Sequence, residues 1–234
     1  MIHRRAWSRR LFVALCAALA LAFAALGIWQ VERRAWKLAL IDQVTARSTA
    51  APVPLPPRRD WSADQSYRHV RVTGTFGHDR ETLVQAVTDY GAGWWVLTPL
   101  RTGATTLLVN RGFVPADRAD PATRRAGLPQ GSVTVTGLLR ATEPGGAFLR
   151  SNDPAAGRWY SRDVAAIASA RGLGDTPPFF LDADAAPNPG GYPIGGLTVI
   201  AFRNNHLVYA LTWFGLAILS AAGAVLAWRK EEQA

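Results

Sequence analysis

Leu11–Trp29 reads LFVALCAALALAFAALGIW and Leu207–Trp228 reads LVYALTWFGLAILSAAGAVLAW. These are 19 and 22 residues without a single charge. As helices rising ~1.5 Å per residue, they reach about 28 Å and about 33 Å, enough to cross a hydrocarbon core of roughly 30 Å. Both are expected to be transmembrane helices, which makes the chain a membrane protein whose remaining residues must find their own core.

Two spans put both ends of the chain on one side of the bilayer. That side carries Arg4, Arg5, Arg9, Arg10, Arg229 and Lys230 next to the membrane, and juxtamembrane basic residues favour the cytoplasm. Arg33, Arg34, Lys37 and Arg203 make the bias modest, but a loop longer than about 60 residues crosses largely regardless of charge. The expected layout is a cytoplasmic tail at 1–10, a span at 11–29, a periplasmic domain at 30–206, a span at 207–228 and a second tail at 229–234. Trp7 and Trp228 on one side, with Trp29 and Tyr209 on the other, fall where interfacial aromatics belong. Ala22-Phe23-Ala24 is a passable signal-peptidase site. It lies inside an apolar run longer than an ordinary signal core, so an uncleaved anchor is favoured. With only ten residues ahead of the span, no mitochondrial presequence is expected there, and the working location is a bacterial cytoplasmic (inner) membrane.

Lys and Arg number 26 against 17 Asp and Glu, for a net charge of +9. The surplus suits membrane lipids. It is scattered, with no basic tract and no nucleic-acid-binding motif, so nucleic acid is not an expected partner. The single cysteine, Cys16, lies inside the first span. That excludes an intramolecular disulfide, CxxC redox chemistry, covalent haem attachment and thiolate metal sites.

Between the spans, Gln30 to Arg47 mixes charged and apolar residues at helical spacing, predicting a short amphipathic continuation of the first helix. Ala51-Pro52-Val53-Pro54-Leu55-Pro56-Pro57 predicts an extended linker, because proline fixes φ and lacks a donor. Strands are expected at Tyr67–Phe76, Glu81–Val87, Trp94–Leu100, Thr106–Val114, Ser132–Arg140, Pro178–Asp182 and Leu197–Arg203, with one helix at Arg162–Arg171. The fold class is therefore α+β: two transmembrane helices flanking one antiparallel β-rich domain, barrel- or sandwich-like, with a short helix. No phosphate-binding glycine loop, nucleophile elbow or internal repeat is found.

Several blocks then follow one another in a specific order: Leu26-Gly27-Ile28-Trp29-Gln30 with Arg33 and Trp36-Lys37; Val70-Arg71-Val72-Thr73-Gly74-Thr75-Phe76; Leu97-Thr98-Pro99-Leu100; Leu108-Val109-Asn110-Arg111-Gly112-Phe113-Val114-Pro115; and Asn205-His206-Leu207-Val208-Tyr209-Ala210-Leu211-Thr212-Trp213-Phe214. Each alone is common; together and in order they resemble the surfeit locus protein family, the assembly factors of haem–copper cytochrome c oxidase. The resemblance covers most of the chain. It implies two spans around a domain outside the cytoplasm, no catalytic activity, and a role in maturing oxidase subunit I around haem a insertion. Haem A synthase is a second implied partner.

The resemblance also makes His206 a candidate haem-iron ligand. Tyr209 and Trp213 follow at spacings of three and seven on the same helix, and Trp29, Gln30 and Arg33 stand at the exit of the first span. An imidazole at a membrane interface can ligate haem iron. The bland reading is that Asn204 and Asn205 cap the helix while His206, Tyr209 and Trp213 are interfacial and packing residues. Both readings stay open at this point. Asn110, Arg111 and Gly112 are candidates for docking the oxidase or haem propionates, against a structural reading as a strand end where glycine allows close backbone approach. Gly74 reads as a bulge. His3, His69 and His78 carry no motif. Copper delivery lacks the soft ligands it needs, and a peptidase lacks a nucleophile–base pair. The alternative to a haem-handling factor is a membrane-anchored structural adaptor that holds subunit I without touching haem.

Overall fold

The computed structural model describes residues 2–103, 105–147, 149–200 and 202–232. The chain divides into two compact units, Met1–Gln43 with Ala201–Ala234, and Val44–Ile200.

The first unit is a helix pair. Helix α1 runs unbroken over Ile2–Thr49, its last turns passing into the second unit, so the amphipathic continuation expected after the first span is part of one long helix. Two candidate membrane spans lie at Trp7–Thr49 and His206–Arg229, and the rest of the chain covers little of either. A core helix of a soluble domain would be buried. Forty-three helical residues measure about 65 Å, about twice a hydrocarbon core, and the charges that begin at Glu32 follow its apolar stretch.

The final helix of the chain (His206–Glu232) runs antiparallel to α1. Cys16 lies opposite Gly223, the Phe23 and Trp213 rings stack at 5.6 Å, and Gly27 faces the Phe214 ring. The Lys37 ammonium sits 5.4 Å from the Phe202 ring. Positions 16, 23, 27 and 30 on α1 follow the three-and-four spacing of one helix stripe. Away from that stripe, Leu15, Leu21 and Ile28 on α1 and Leu211, Ile218 and Leu226 opposite are exposed, as lipid-facing side chains are.

The second unit is a small β-barrel. Its strands are β1 (Val53–Pro54), β2 (His69–Phe76), β3 (Thr82–Thr88), β4 (Gly91–Thr102), β5 (Thr105–Pro115), β6 (Ser132–Ala141), the minor hairpin β7 (Gly146–Ala147) with β8 (Arg150–Ser151), and β9 (Phe179–Ala183); helix α2 (Val164–Arg171) precedes β9, and the final helix is α3. The large sheet has the order β1-β2-β6-β9-β5-β4-β3, and a further β2–β4 pairing closes it into a ring. Closure rests on Thr75 opposite Arg101 and Phe76 opposite Leu100.

Gly74 makes that closure possible. A β-carbon there would lie 2.4 Å from the Arg101 carbonyl oxygen. The pairing of β2 with β6 runs in continuous register through it, so Gly74 is a site of close strand approach, and the expected bulge is not there.

Three other expectations are corrected. The sheet is mixed, because β9 pairs parallel to β5 (Leu108 opposite Phe180) while antiparallel to β6, and β1 pairs parallel to β2. The chain leaves β5, forms β6, and crosses through α2 before inserting β9 between them; a crossover of that length permits parallel pairing. The proline-rich linker is extended as expected, but Val53–Pro54 joins the sheet edge as β1. Finally, Leu197–Arg203 forms no strand among its described residues, Ala201 lying outside them. Both ladder edges beside β5 and β6 are already taken by β9, and Val199 is left exposed.

Strand β5 is buried along nearly its whole length, since it faces a core on each side. Leu107 and Val109 point into the barrel with Val70, Val72, Leu100, Leu139, Phe179 and Leu181. Leu108 faces outward beneath α2 with Val84, Leu97, Trp159, Ile167 and Phe180. Asp163 caps α2 by accepting from the Ala166 N–H at 3.1 Å, and Gly172 ends it in the left-handed conformation.

Candidate functional site

Within the helix pair, Gln30 is buried at 9 % exposure and its Oε1 lies 2.7 Å from Nδ1 of the half-buried His206. An interhelical hydrogen bond of this kind is worth roughly 0.6–2 kcal/mol in an apolar setting. Its chemical consequence is larger. With Oε1 as acceptor, Nδ1–H is the donor, so a neutral imidazole keeps its lone pair on Nε2. Among the described residues, no hydrogen bond engages Nε2.

The sequence-chosen neighbours divide. Ala210, one turn beyond His206, is buried, and Trp213 stacks on Phe23. These residues share the His206 face by the four-and-seven spacing. Tyr209 is 54 % exposed and flanks that face. The expected cluster at the exit of α1 also splits. Gln30 turns to His206, Trp29 is 52 % exposed, and the Arg33 guanidinium lies 4.1 Å from the Trp36 ring on the helix flank. The Asn205 carbonyl accepts the Tyr209 N–H at 3.2 Å as the first helical bond of α3.

A metal site built from protein ligands alone is absent among the described residues, where no three His, Cys, Asp or Glu side chains cluster. His206 can offer one nitrogen. A single imidazole, oriented by a partner on its other nitrogen, fits an iron whose remaining positions a macrocycle supplies.

In the barrel, Asn110 and Arg111 are buried at 5 % and 3 % exposure. As neighbours on a strand they point to opposite faces. Outside the ring, Asn110 donates to Asp182 at 2.8 Å while its carbonyl oxygen accepts the Gly112 N–H at 3.2 Å. Gly112, at φ +125°, lets Ile194 approach so closely that a β-carbon would stand 2.0 Å from its oxygen. Phe113 and Ile194 exchange two backbone hydrogen bonds of 2.9 Å across that contact. The close approach expected of this glycine is therefore present.

Sequence reasoning passed over the polar centre beside Asn110. Asp182 accepts from Arg140 at 2.8 Å, Arg162 at 3.1 Å and Thr198 at 3.1 Å, and Arg162 also grips Glu143. Two guanidinium groups and two carboxylates balance. Burial opposes the charge on Arg162, yet Asp182 and Glu143 outweigh it and raise its pKa. The signal was present: one carboxylate within the buried strand Phe179–Ala183 must have partners. A second buried pair, Arg124 with Glu81, is bidentate. His69 bridges the Ala50 carbonyl at 2.8 Å and Asp184 at 2.7 Å; burial works against its charge, but these two acceptors prevail and raise its pKa.

The SURF1 family pattern matches residues 17–218, a stretch holding Gln30, Asn110–Gly112 and His206. Surfeit locus protein 1 of Rattus norvegicus is 40% identical over 222 residues, covering 88% of this chain and 71% of its own length. The Homo sapiens protein of that name is 38% identical over 223 residues, covering 88% and 72%. A SURF1-like protein of Monosiga brevicollis is 39% identical over 219 residues, covering 88% and 83%.

Proposed function

The chain belongs to the SURF1 family, and from that premise we propose that it is a membrane-anchored, non-catalytic assembly factor of haem–copper cytochrome c oxidase. Subunit I is its client, and haem a insertion is the step it assists. Support comes from the ordered blocks that carry the family resemblance and from two helices of membrane-spanning length. The proposed setting is a bacterial inner membrane, with basic tails in the cytoplasm and the barrel in the periplasm, in keeping with Arg9, Arg10 and Arg229 beside the spans. Lipids and haem A synthase complete the proposed partners.

One observation carries the haem reading: the Gln30–His206 hydrogen bond. Haem a, when bound, supplies an iron that accepts an imidazole nitrogen. Gln30 holds the His206 ring, sets its tautomer and leaves Nε2 to donate. Tyr209 offers an exposed ring three residues further along the same helix. Trp213, stacked on Phe23, keeps the helix pair in register below it. Arg33, with Trp36, and Trp29 stand on the flank, where a cation and aromatic edges meet the polar groups of a largely apolar ligand.

The test is an absorption spectrum of the detergent-purified protein, co-expressed with the haem A synthesis enzymes. A stoichiometric haem a band is expected, lost in His206→Ala and diminished in Gln30→Leu. Haem absent from the wild type, with oxidase maturation still dependent on the protein, would replace this reading by the structural adaptor.

A further inference from the structure

Leu107, Val109 and Arg111 alternate along β5 and so share one face, and the first two belong to the barrel interior. Arg111 continues that interior row to the end of the barrel, where it lines a cavity of 230 Å³. Most of the wall is apolar, with Phe76, Val133, Val135, Pro129 and Pro187 contributing. The guanidinium is held firmly on one side. Nη2 donates to the Gly127 carbonyl at 2.5 Å and to Asn188 Oδ1 at 3.1 Å, and the group lies 4.9 Å from the Phe76 ring. Nη1 is buried and has no hydrogen-bond partner among the described residues.

Nor is the charge neutralised. Glu81, whose field Arg111 feels, is committed to Arg124, and Asp184 on the cavity wall is engaged by His69. Burial of the unmatched cation pushes its pKa down to about 10. His78, 5.5 Å from Phe76 ring to ring, has a second buried nitrogen without a partner, Nδ1. A buried cation with a free donor is costly unless something anionic completes it.

We propose that this barrel-end cavity binds a small monocarboxylate with an apolar body, the carboxylate meeting Arg111 Nη1 and the body resting on Phe76, Val133 and Val135. A monoanion suits the one guanidinium on the wall, where the Asp184 carboxylate is already held by His69. A phosphate dianion would bring excess charge into an apolar chamber that offers it no second cation. The mouths of small barrels are common ligand positions.

The test uses the full chain in lipid nanodiscs and 4-fluorobenzoate, read by fluorine NMR line broadening. Broadening is expected, reversed by benzoate and not by the neutral isostere benzamide. Arg111→Gln should weaken binding by about tenfold to a hundredfold, as loss of a charge-assisted hydrogen bond does. Ala186→Trp, at an exposed rim position lining the same cavity, should block the mouth without touching the core, and so tests the site even if Arg111→Gln fails to fold. Unchanged broadening with folded Ala186→Trp, or competition by benzamide or inorganic phosphate equal to that by benzoate, would overturn the assignment.

Discussion

Asp182 shows how much one side chain can hold. It is 3 % exposed and accepts hydrogen bonds from Asn110, Arg140, Arg162 and Thr198. Asp182→Asn keeps the shape, but turns one acceptor into a donor that faces donors and leaves Arg140 and Arg162 short of a negative charge. Breaking a buried charge network this way costs about 3–5 kcal/mol, whereas Thr198→Val, which deletes one neutral donor, costs about 1 kcal/mol. Guanidinium denaturation followed by tryptophan fluorescence measures both, and equal losses would refute the network account. At this scale the sequence was readable where a residue's chemistry is forced by its neighbours in the chain: Gly112 and its close backbone approach were legible. The partners of Asp182 were not, since Arg140 and Arg162 reach it only after β6 and the approach to α2 fold against β9. Arg111 was legible as special but not as buried, because a strand read without its sheet does not say that both of its faces are covered.

Among the elements, the two glycines at tight crossings differ in a way that the atoms opposite them decide. At Gly27 an added β-carbon would meet the Phe214 ring at 2.5 Å, and a ring can rotate away; at Gly74 it would meet the Arg101 backbone oxygen at 2.4 Å, which cannot move without opening the β2–β4 closure. Overpacking costs about 1–3 kcal/mol in general. Gly74→Ala belongs at or above the top of that range, and Gly27→Ala near the bottom. Thermal unfolding of both variants in the same detergent tests this order. Replacing Phe214 by Leu should rescue Gly27→Ala, and no second-site side-chain change should rescue Gly74→Ala. Strands of this barrel were visible in the sequence wherever β-branched and aromatic residues ran between glycine turns, and their observed ends lie within three residues of those expected. The insertion of β9 between β5 and β6 was not visible, because parallel neighbours are distant in the chain. That same insertion left Leu197–Arg203 without an edge to pair with, despite its strand-like composition.

For the molecule as a whole, the division into two units separates two kinds of driving force. Val44–Ile200 encloses one apolar cluster inside the ring and another beneath α2, and so meets the ordinary requirement for folding in water. The helix pair exposes most of its apolar surface; in water that surface is unfavourable, and in lipid it is neutral. Both candidate spans were legible from length and absence of charge, since a run of that length matches a hydrocarbon core. The contact between them was not, because Gln30–His206 and Gly27–Phe214 depend on helix rotation. The segment Val44–Ile200, expressed alone, should therefore be soluble, show a β-type circular dichroism spectrum and melt cooperatively. It should retain 4-fluorobenzoate binding, for which Arg111 and its surroundings suffice. It should not restore oxidase activity in a strain lacking the full chain, and it should acquire no haem a, because Gln30 and His206 are missing. Full restoration by the isolated barrel would show that the helix pair is only an anchor, and would take the haem reading away from His206.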